Sequence, residues 1–233
     1  ELHSFVAPAK LAGAVGDYNA HVAAYPHINW VDFSKDFVEG LGFRHKQWVT
    51  QIIGYTEYSE LFNCLKEING ILFKLDLDDW LYISYDYLKQ AVKEGETGSS
   101  TMPQKVNPIS FENSEGNILL SNAIFGVLAD ELPKSRMSRH LSDSTMLRAL
   151  GEAFGHALIA YKNSSEGLSR VTANISVLSL DLEQHYEILG EPIQIILRRE
   201  GVPEAYETIK NATRGKLMTM KEWVELIKSL QVS

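Results

Sequence analysis

Cysteine is scarce in this 233-residue chain, which contains Cys64 alone. A single cysteine excludes an internal disulfide framework and suits a reducing compartment, so we expect a cytoplasmic protein. Cys64 falls on an apolar helical stripe, and this position predicts a buried, unreactive thiol. The chain also lacks an apolar run long enough to cross a bilayer, so we expect no membrane partner.

Basic residues are outnumbered by acidic ones, 22 Lys and Arg against 30 Asp and Glu, which gives a formal net charge of −8. This balance argues against nucleic acid or an anionic membrane as the main partner. Hydrophobic residues make up 45% of the chain and charged residues 22%, which is ordinary for a globular protein of one or two domains.

Strand patterns and metal-ligand spacings are absent as well. No alternating run is bounded by hairpin turns, so we predict an all-α fold. The sequence has no zinc-ligand spacing, no phosphate-binding glycine-rich loop and no nucleophile elbow, and we expect neither a metal nor a redox cofactor. Asp76, Asp78 and Asp79 lack the glycine and distal glutamate of a calcium loop and are expected to be solvated helix positions.

What the chain does contain is apolar periodicity. Helical spacing predicts helices over residues 30–41, about 58–83, about 111–132, and from 142 or 143 to about 161. Pro133 closes the third helix, and the polar run 163–167 is expected to end the fourth. The helix over 58–83 is apolar on several sides, which is typical of a helix inside a large bundle or an oligomer.

These helices suggest two domains. We predict a long-helix bundle domain over residues 1–170 and a small helical domain over residues 171–233. In the second domain Pro192, the run 201–203 and Gly215 separate shorter segments. Residues 1–11 are expected to be the last turns of a helix.

The stretch richest in functional groups is the loop at residues 95–110, hereafter the 95–110 loop. Gly95 and Gly98 loosen its backbone, while Pro103 and Pro108 bar a regular helix. Between them lie hydroxyls, an ammonium and a carboxamide, which could accept a proton and bind anions. A polar surface linker is the alternative, but the order of the polar groups and the periodic helix that follows favour function.

Three cations accompany this loop in an acidic protein. Lys105 lies within it, and Arg139 and Arg148 flank Ser144 in a segment that leads into a helix. Guanidinium groups match carboxylates and phosphates, and helix N-termini favour anions. Each arginine alone could be a surface residue. Together the three cations predict a ligand with several negative charges.

These stretches resemble a known family. Residues 98–108, Gly-Ser-Ser-Thr-Met-Pro-Gln-Lys-Val-Asn-Pro, are similar to the signature loop of the fumarase/aspartase superfamily, Gly-Ser-Ser-x-Met-Pro-x-Lys-x-Asn-Pro. Residues 109–117, 139–148 and 13–21 resemble one branch of it, the adenylosuccinate lyases of the bacterial and plant type. The resemblance covers essentially the whole chain.

The resemblance implies a fold, an assembly and a reaction. The fold would be a long-helix bundle with a small helical C-terminal domain, and an N-terminal portion and the extreme C-terminus of the family are expected to be missing. The assembly would be a homotetramer with active sites shared between subunits. The reaction would be β-elimination of fumarate from adenylosuccinate, giving AMP, and from SAICAR, giving AICAR, in purine nucleotide biosynthesis. Argininosuccinate lyase, fumarase or aspartase activity, or an inactive helical assembly protein, are the alternatives.

The resemblance also assigns roles. Ser99 matches the general base, although the residues alone do not decide between Ser99 and Ser100. Lys105 and Asn107 match positions for substrate-carboxylate binding and loop closure, and Glu112 matches the carboxylate that orients a catalytic histidine. Substrate-binding positions are matched by Gln51, Ser100, Thr101, Met102, Arg139, Ser144 and Arg148.

The catalytic histidine of the family would lie upstream of Glu1. The histidines at positions 21, 27, 45, 140, 156 and 185 fit none of its sequence context and are expected to be ordinary polar or capping residues. Three features depart from the branch: Gln104 replaces a histidine, the segment 52–55 replaces a more polar one, and His140 replaces an acidic residue. Neither of the first two departures is expected to touch a position with a chemical role, and His140 is expected to add potential positive charge beside Arg139.

Overall fold

The computed structural model describes residues 4–92, 95, 98 and 100–230. Its helices are α1 (Asn19–Ala24), α2 (Trp30–Gly40), α3 (Thr56–Ser84), α4 (Ile109–Glu131), α5 (Ser142–Met146), α6 (Leu150–Ser169), α7 (Ile175–Gln184), α8 (Gly190–Arg199), α9 (Ala205–Thr213) and α10 (Met220–Ser229), with 3-10 turns at Leu147–Ala149 and Tyr186–Leu189. The predicted all-α class is confirmed.

The described residues contain four short strands of two or three residues each. β1 (Pro8–Ala9) pairs in parallel with β2 (Arg44–His45), and β3 (Leu88–Gln90) is paired with β4 (Val171–Ala173). β1 lies in the segment expected to be the end of a helix, so that expectation was wrong for the described residues. Pro8 cannot donate a helical hydrogen bond, whereas the carbonyls of Ala7 and Ala9 accept from the backbone N–H groups of Arg44 and Lys46.

The chain forms two units by its internal contacts. One consists of Glu1–Leu81 with Gln90–Val171, and the other of Tyr82–Lys89 with Thr172–Ser233. The domain limits expected from the sequence, 1–170 and 171–233, stay a prediction.

The core of the first unit lies where α3, α4 and α6 pack together. Phe62 and Phe125 stack with ring centroids 5.6 Å apart, and Phe154 meets Phe125 edge-on at 5.1 Å. Leu128 and Ala153 complete the buried contact. Burying each of the two phenylalanines that stack contributes about 1.5–3 kcal/mol relative to exposure.

A buried polar network joins the same three helices. The hydroxyl of Tyr161 donates to Asn69 Oδ1 at 2.6 Å, and Asn69 Nδ2 donates to Asn122 Oδ1 at 2.8 Å. Ser121 Oγ donates to the carbonyl of Ala153 at 2.9 Å. Because buried polar groups are costly unless they are paired, this network favours one helix register over its neighbours.

The end of the α6 helix corrects one sequence expectation. It continues to Ser169 through the run 163–167, which had been expected to end it. Ser164 is buried and donates to Asp76 Oδ1 at 2.6 Å, and Gly167 leaves room for the ring of Phe111. These tertiary contacts stabilise helix where local propensity favours a loop.

The aspartates of α3 correct another expectation. Asp76 is 0% exposed and Asp79 is 7% exposed, whereas Asp78 forms an ion pair with Lys74 on the surface. The expectation of three solvated positions was therefore right for one of them.

Cys64 was expected to be buried, but it is partly exposed and lines a cavity of about 330 Å³ beside Phe5.

The second unit has its own core around Trp223, which is fully buried against Leu197, Ala205 and Ile209. Helix α10 begins with a capping box, in which Thr219 and Glu222 exchange side-chain to backbone hydrogen bonds.

The long helices of the first unit leave large apolar side chains in solvent. The most exposed of these on α3, α4 and α6 are Ile71, Ile109, Leu119, Leu120, Val127 and Leu158. This agrees with the expectation that the helix over 58–83 is apolar on several sides. In the part of the chain that the structure describes, no helix has the length and apolarity needed to cross a membrane.

Candidate active site

One group of candidate residues gathers at the start of α5. The guanidinium of Arg139 donates through Nε to Asp143 Oδ2 at 3.2 Å and through Nη2 to Asp143 Oδ1 at 3.2 Å. Nη2 also donates to Ser144 Oγ at 2.8 Å. Burial alone would raise the pKa of Asp143, but the hydrogen bonds from Arg139 and Ser144 outweigh it and lower that pKa. This is a charged, pre-oriented pair, and Arg139 Nη1 donates to none of the described residues.

Tyr55 extends this group. Its hydroxyl donates to Asp143 Oδ2 at 3.4 Å, and burial followed by the nearby carboxylate of Asp143 raises the pKa of Tyr55. Tyr55 belongs to the segment 52–55 that departs from the family pattern. That segment was expected not to touch a position with a chemical role, and its hydrogen bond reaches the candidate Arg139 only indirectly, through Asp143.

Gln51 lies beside a cavity of about 480 Å³ at the same end of the bundle. Apolar side chains, among them Ile52, Tyr58, Phe62, Leu132 and Leu150, form most of its wall, together with Lys10. Lys10 Nζ donates to the carbonyl of Thr50 at 3.3 Å, and burial lowers the pKa of Lys10.

The backbone beside Gln51 is held from two sides. Thr50 Oγ1 donates to the carbonyl of Ser138 at 2.8 Å, which ties the Gln51 segment to the one that carries Arg139. Gly16 has φ of +90°, and a Cβ there would lie 2.3 Å from the carbonyl oxygen of Val49. Glycine is therefore required at position 16 for the 13–21 segment to reach this site.

Two further basic side chains of this segment, Arg148 and His140, differ in their contacts. Arg148 is exposed on the 3-10 turn, and no described residue forms a hydrogen bond or ion pair with it. His140 Nε2 lies 2.7 Å from Arg136 Nη2. This contact brings the guanidinium of Arg136 beside the ring of His140, and the charge expected at His140 stays a prediction.

The second group lies in and after the 95–110 loop. The side-chain amide of Asn107 donates to the carbonyl of Gly98, and Gln90 Nε2 donates to the carbonyl of Asn107 at 2.8 Å. A Cβ at Gly98 would lie 1.9 Å from the carbonyl oxygen of Lys105, so only glycine permits this close approach. The described part of the loop is thus folded back on itself.

The remaining loop candidates face solvent. Ser100, Thr101, Met102 and Lys105 are all exposed, and the backbone N–H of Lys105 donates to the carbonyl of Met102 at 3.1 Å. Ser99 lies outside the described residues. The side chain of Lys105 is therefore at the surface of the chain.

Glu112 lies in the first turn of α4. Its Oε1 accepts a hydrogen bond of 3.0 Å from the indole Nε1 of Trp80 on α3. Glu115 follows one turn later, and burial, then the charges of Asp76 and Glu112, raises the pKa of Glu115. Asp79 also has a raised pKa, for burial first and for the charges of its neighbours second.

The two groups lie at opposite ends of α4. The helix contains 23 residues, and a rise of 1.5 Å per residue makes it about 35 Å long. The loop group precedes its N-terminus, and the Arg139 group follows its C-terminus. One chain therefore does not bring all the predicted site residues together. Among the described residues no cluster of three or more His, Cys, Asp or Glu could hold a metal ion.

Sequence reasoning missed four residues of these groups. The ion pair of Asp143 with Arg139 could have been found, because the two are four residues apart at a helix start. Tyr55 and Trp80 contact Asp143 and Glu112, which lie 88 and 32 positions away along the chain. Lys10 donates to the carbonyl of Thr50, next to Gln51, and lines the same cavity as Gln51. No local signal marks such contacts.

Comparison with known proteins gives consistent matches. Residues 2–126 match the family model described as Lyase, and residues 135–233 match the one described as Adenylosuccinate lyase C-terminal. Adenylosuccinate lyase of Escherichia coli K12 is 48% identical over 219 residues, which is 93% of this chain and 48% of the relative.

Two further relatives agree with this. The adenylosuccinate lyase of Legionella pneumophila strain Corby is 46% identical over 232 residues, 100% of this chain and 51% of its own length. That of Dictyostelium discoideum is 43% identical over 228 residues, 96% of this chain and 49% of its own. The chain spans about half the length of the curated relatives it matches.

Proposed function

The chain belongs to the lyase family whose model it matches over residues 2–126, and from this premise we propose that its protein eliminates fumarate from adenylosuccinate, giving AMP, and from SAICAR, giving AICAR. The observation that carries the proposal is the identity of 43–48% to proteins named adenylosuccinate lyase along 93–100% of the chain. The enzyme is a carbon–nitrogen lyase that needs no cofactor for this step.

The reaction defines the groups that are required. A base removes the proton from the carbon next to a carboxylate, the electron pair forms the carbon–carbon double bond of fumarate, and the carbon–nitrogen bond breaks. An acid then protonates the leaving nitrogen. Cations and N–H donors must stabilise the dianionic carbanion that forms between these steps.

The loop group supplies the elimination chemistry. Ser99 is the base, Lys105 binds the substrate carboxylate, and Asn107 holds the loop closed. The hydrogen bond from Asn107 to Gly98 and the exposed ammonium of Lys105 support the last two roles. Ser100, Thr101 and Met102 line the substrate from the same loop. Glu112 orients the histidine that acts as acid, which lies outside this chain.

The Arg139 group binds the rest of the substrate. Asp143 fixes the guanidinium of Arg139 but leaves Nη1 available to a phosphate or succinyl oxygen. Ser144 and the exposed Arg148 add a hydroxyl and a second cation. Gln51 contacts the substrate from the edge of the neighbouring cavity.

The site is completed by other copies of the chain. A helix of about 35 Å separates the two groups in one subunit, so a substrate can touch both only if neighbouring subunits contribute opposite ends. The exposed apolar residues of α3, α4 and α6 provide a surface for that association. We propose a homotetramer, located in the cytoplasm, with active sites shared between subunits.

The test uses the complete gene product that contains this chain. Adenylosuccinate is added and fumarate is measured by its absorbance, with AMP, arginine and aspartate tried as competitors. The expected result is fumarate release that AMP inhibits and that arginine and aspartate do not. A folded protein that releases no fumarate from adenylosuccinate would refute the proposal.

Two variants test the base and the assembly. Ser99→Ala should abolish turnover, while Ser100→Ala should retain measurable turnover because it removes only a substrate contact. Light scattering should give the mass of four chains. An active monomer would contradict the shared site, and unchanged turnover in Ser99→Ala would exclude Ser99 as the base.

A further inference from the structure

The side chains of Trp80 and Glu112 form a direct link between α3 and α4. The indole Nε1 donates to Glu112 Oε1 at 3.0 Å, and Glu112 accepts no other side-chain hydrogen bond from the described residues. One carboxylate oxygen is therefore fixed, and the other remains available to a further donor.

The surroundings of this carboxylate are acidic. Asp76, Asp79 and Glu115 lie on the same two helices, and Glu115 is close enough to both Asp76 and Glu112 for their charges to act on it. No described lysine or arginine forms an ion pair with any of these four carboxyl groups. The indole N–H is thus the one side-chain donor to Glu112 in the described chain, and it is a neutral donor.

A neutral donor has a specific consequence here. A lysine or arginine in the place of Trp80 would form an ion pair with Glu112 and lower the proton affinity of the carboxylate, which weakens it as an acceptor. The indole orients the carboxylate while leaving its negative charge intact. A carboxylate fixed in this way can hold an imidazole N–H in one tautomer and one orientation.

We propose that Trp80 is a positioning residue for the elimination, because its indole N–H fixes Glu112 in the orientation that receives the catalytic histidine. This inference rests on the proposed function. Trp80 and Glu112 are both substantially exposed in the single chain, with Trp80 at 40%, so their contact is not part of the buried core. The hydrogen bond can be removed without making a cavity.

The kinetic test uses Trp80→Phe in the complete gene product, which keeps an aromatic ring and removes the N–H. We expect kcat to fall about tenfold, in the range found when a residue supporting a functional side chain is removed, and KM to change by less than about twofold. Glu112→Gln should lower kcat further than Trp80→Phe does. The double variant Trp80→Phe with Glu112→Gln should have the same kcat as Glu112→Gln alone, since Trp80 acts through Glu112. Trp48→Phe is the matched control, because Trp48 is 90% exposed and should be silent.

Two outcomes would overturn the proposal: a kcat for Trp80→Phe equal to that of the parent, or a fold-loss of kcat in the double variant equal to the product of the two single losses.

A second measurement does not depend on turnover. Glu112→Ala should change the tryptophan emission of the parent and leave that of Trp80→Phe unchanged. If the parent releases no fumarate but this spectral coupling is present, the proposed function fails while the contact holds. If the parent is active and the coupling is absent, the inference about Trp80 fails alone.

Discussion

Ser164 on α6 donates a hydrogen bond of 2.6 Å to the carboxylate of Asp76 on α3, and both residues are almost completely buried. The other carboxylate oxygen of Asp76 has no hydrogen-bond partner among the described residues. Burial raises the pKa of Asp76, and the hydroxyls of Ser114 and Ser164 only partly offset it. The folded protein therefore binds this proton more tightly than the unfolded chain does.

The sign of the resulting pH dependence is fixed. Below the unfolded pKa, about 3.9 for Asp, the carboxyl is neutral in both states and its contribution to stability is complete. That contribution is lost as pH rises through the raised pKa of the folded state. Asp76→Asn should then match the parent in urea unfolding near pH 4 and be more stable by roughly 1 kcal/mol at pH 7.

The matched control for Asp76→Asn is Asp78→Asn, which removes an exposed carboxylate paired with Lys74. A surface pair of this kind is worth little, so its variant should stay within about 0.5 kcal/mol of the parent at both pH values. If Asp76→Asn were less stable than the parent at pH 7, the carboxylate would be paired rather than merely buried.

Gly167 on α6 should not tolerate a methyl group. A Cβ there would lie 2.8 Å from two carbons of the Phe111 ring, which is itself buried. Gly167→Ala is expected to destabilise the protein by about 1–3 kcal/mol through overpacking. Gly155→Ala, on the same helix with open space around it, should instead stabilise by about 0.5–1 kcal/mol. Thermal unfolding of the two variants gives the comparison, and equal effects would contradict the contact.

Arg139 should matter for stability as well as for substrate binding. Asp143 is 3% exposed, so Arg139→Gln leaves a buried carboxylate without its cation and should cost roughly 2 kcal/mol. The pKa of Asp143 is lowered, so the pair stabilises the fold above the unfolded pKa and loses this effect as pH falls. The loss in Arg139→Gln should accordingly be larger at pH 7 than at pH 3. Arg139→Gln combined with Asp143→Asn should cost less than the sum of the single variants, and simple additivity would argue against the pair.

Asn107 should control the closed form of the 95–110 loop. Asn107→Ala removes the donor to the Gly98 carbonyl, and Gly98→Ala forces the backbone away from Lys105. Both variants should lower turnover at least about tenfold. Both should also increase hydrogen exchange in residues 100–107 without changing it in α4. Asn63→Ala, on the surface of α3, serves as the control, and unchanged exchange in Asn107→Ala would exclude a closing role.

The long helices could be predicted because a single periodic pattern determines them. Helix α2 was placed over 30–41 and spans Trp30–Gly40, and α4 was placed over 111–132 and spans Ile109–Glu131. The end of α6 could not be predicted, because Ser164 and Gly167 are held in helix by partners on other helices. The same long-range contacts explain why Asp76 was wrongly expected in solvent.

The candidate residues could be chosen from the sequence, but most of their contacts could not. The resemblance identified the loop and the arginines, yet the contacts of Tyr55 with Asp143 and of Trp80 with Glu112 join residues 88 and 32 positions apart. The separation into two groups, by contrast, was already implied by the predicted helix over 111–132, which lies between Lys105 and Arg139. Its length fixes the distance before any packing is known.

The length of α4 has a genetic consequence under the proposed assembly. A chain defective at Lys105 still carries an intact Arg139 end, and a chain defective at Arg139 still carries an intact loop. When both are made in one cell, some mixed oligomers would unite two undamaged ends around a substrate. Two alleles that each abolish growth alone should therefore rescue one another, whereas two alleles damaged at the same end should not.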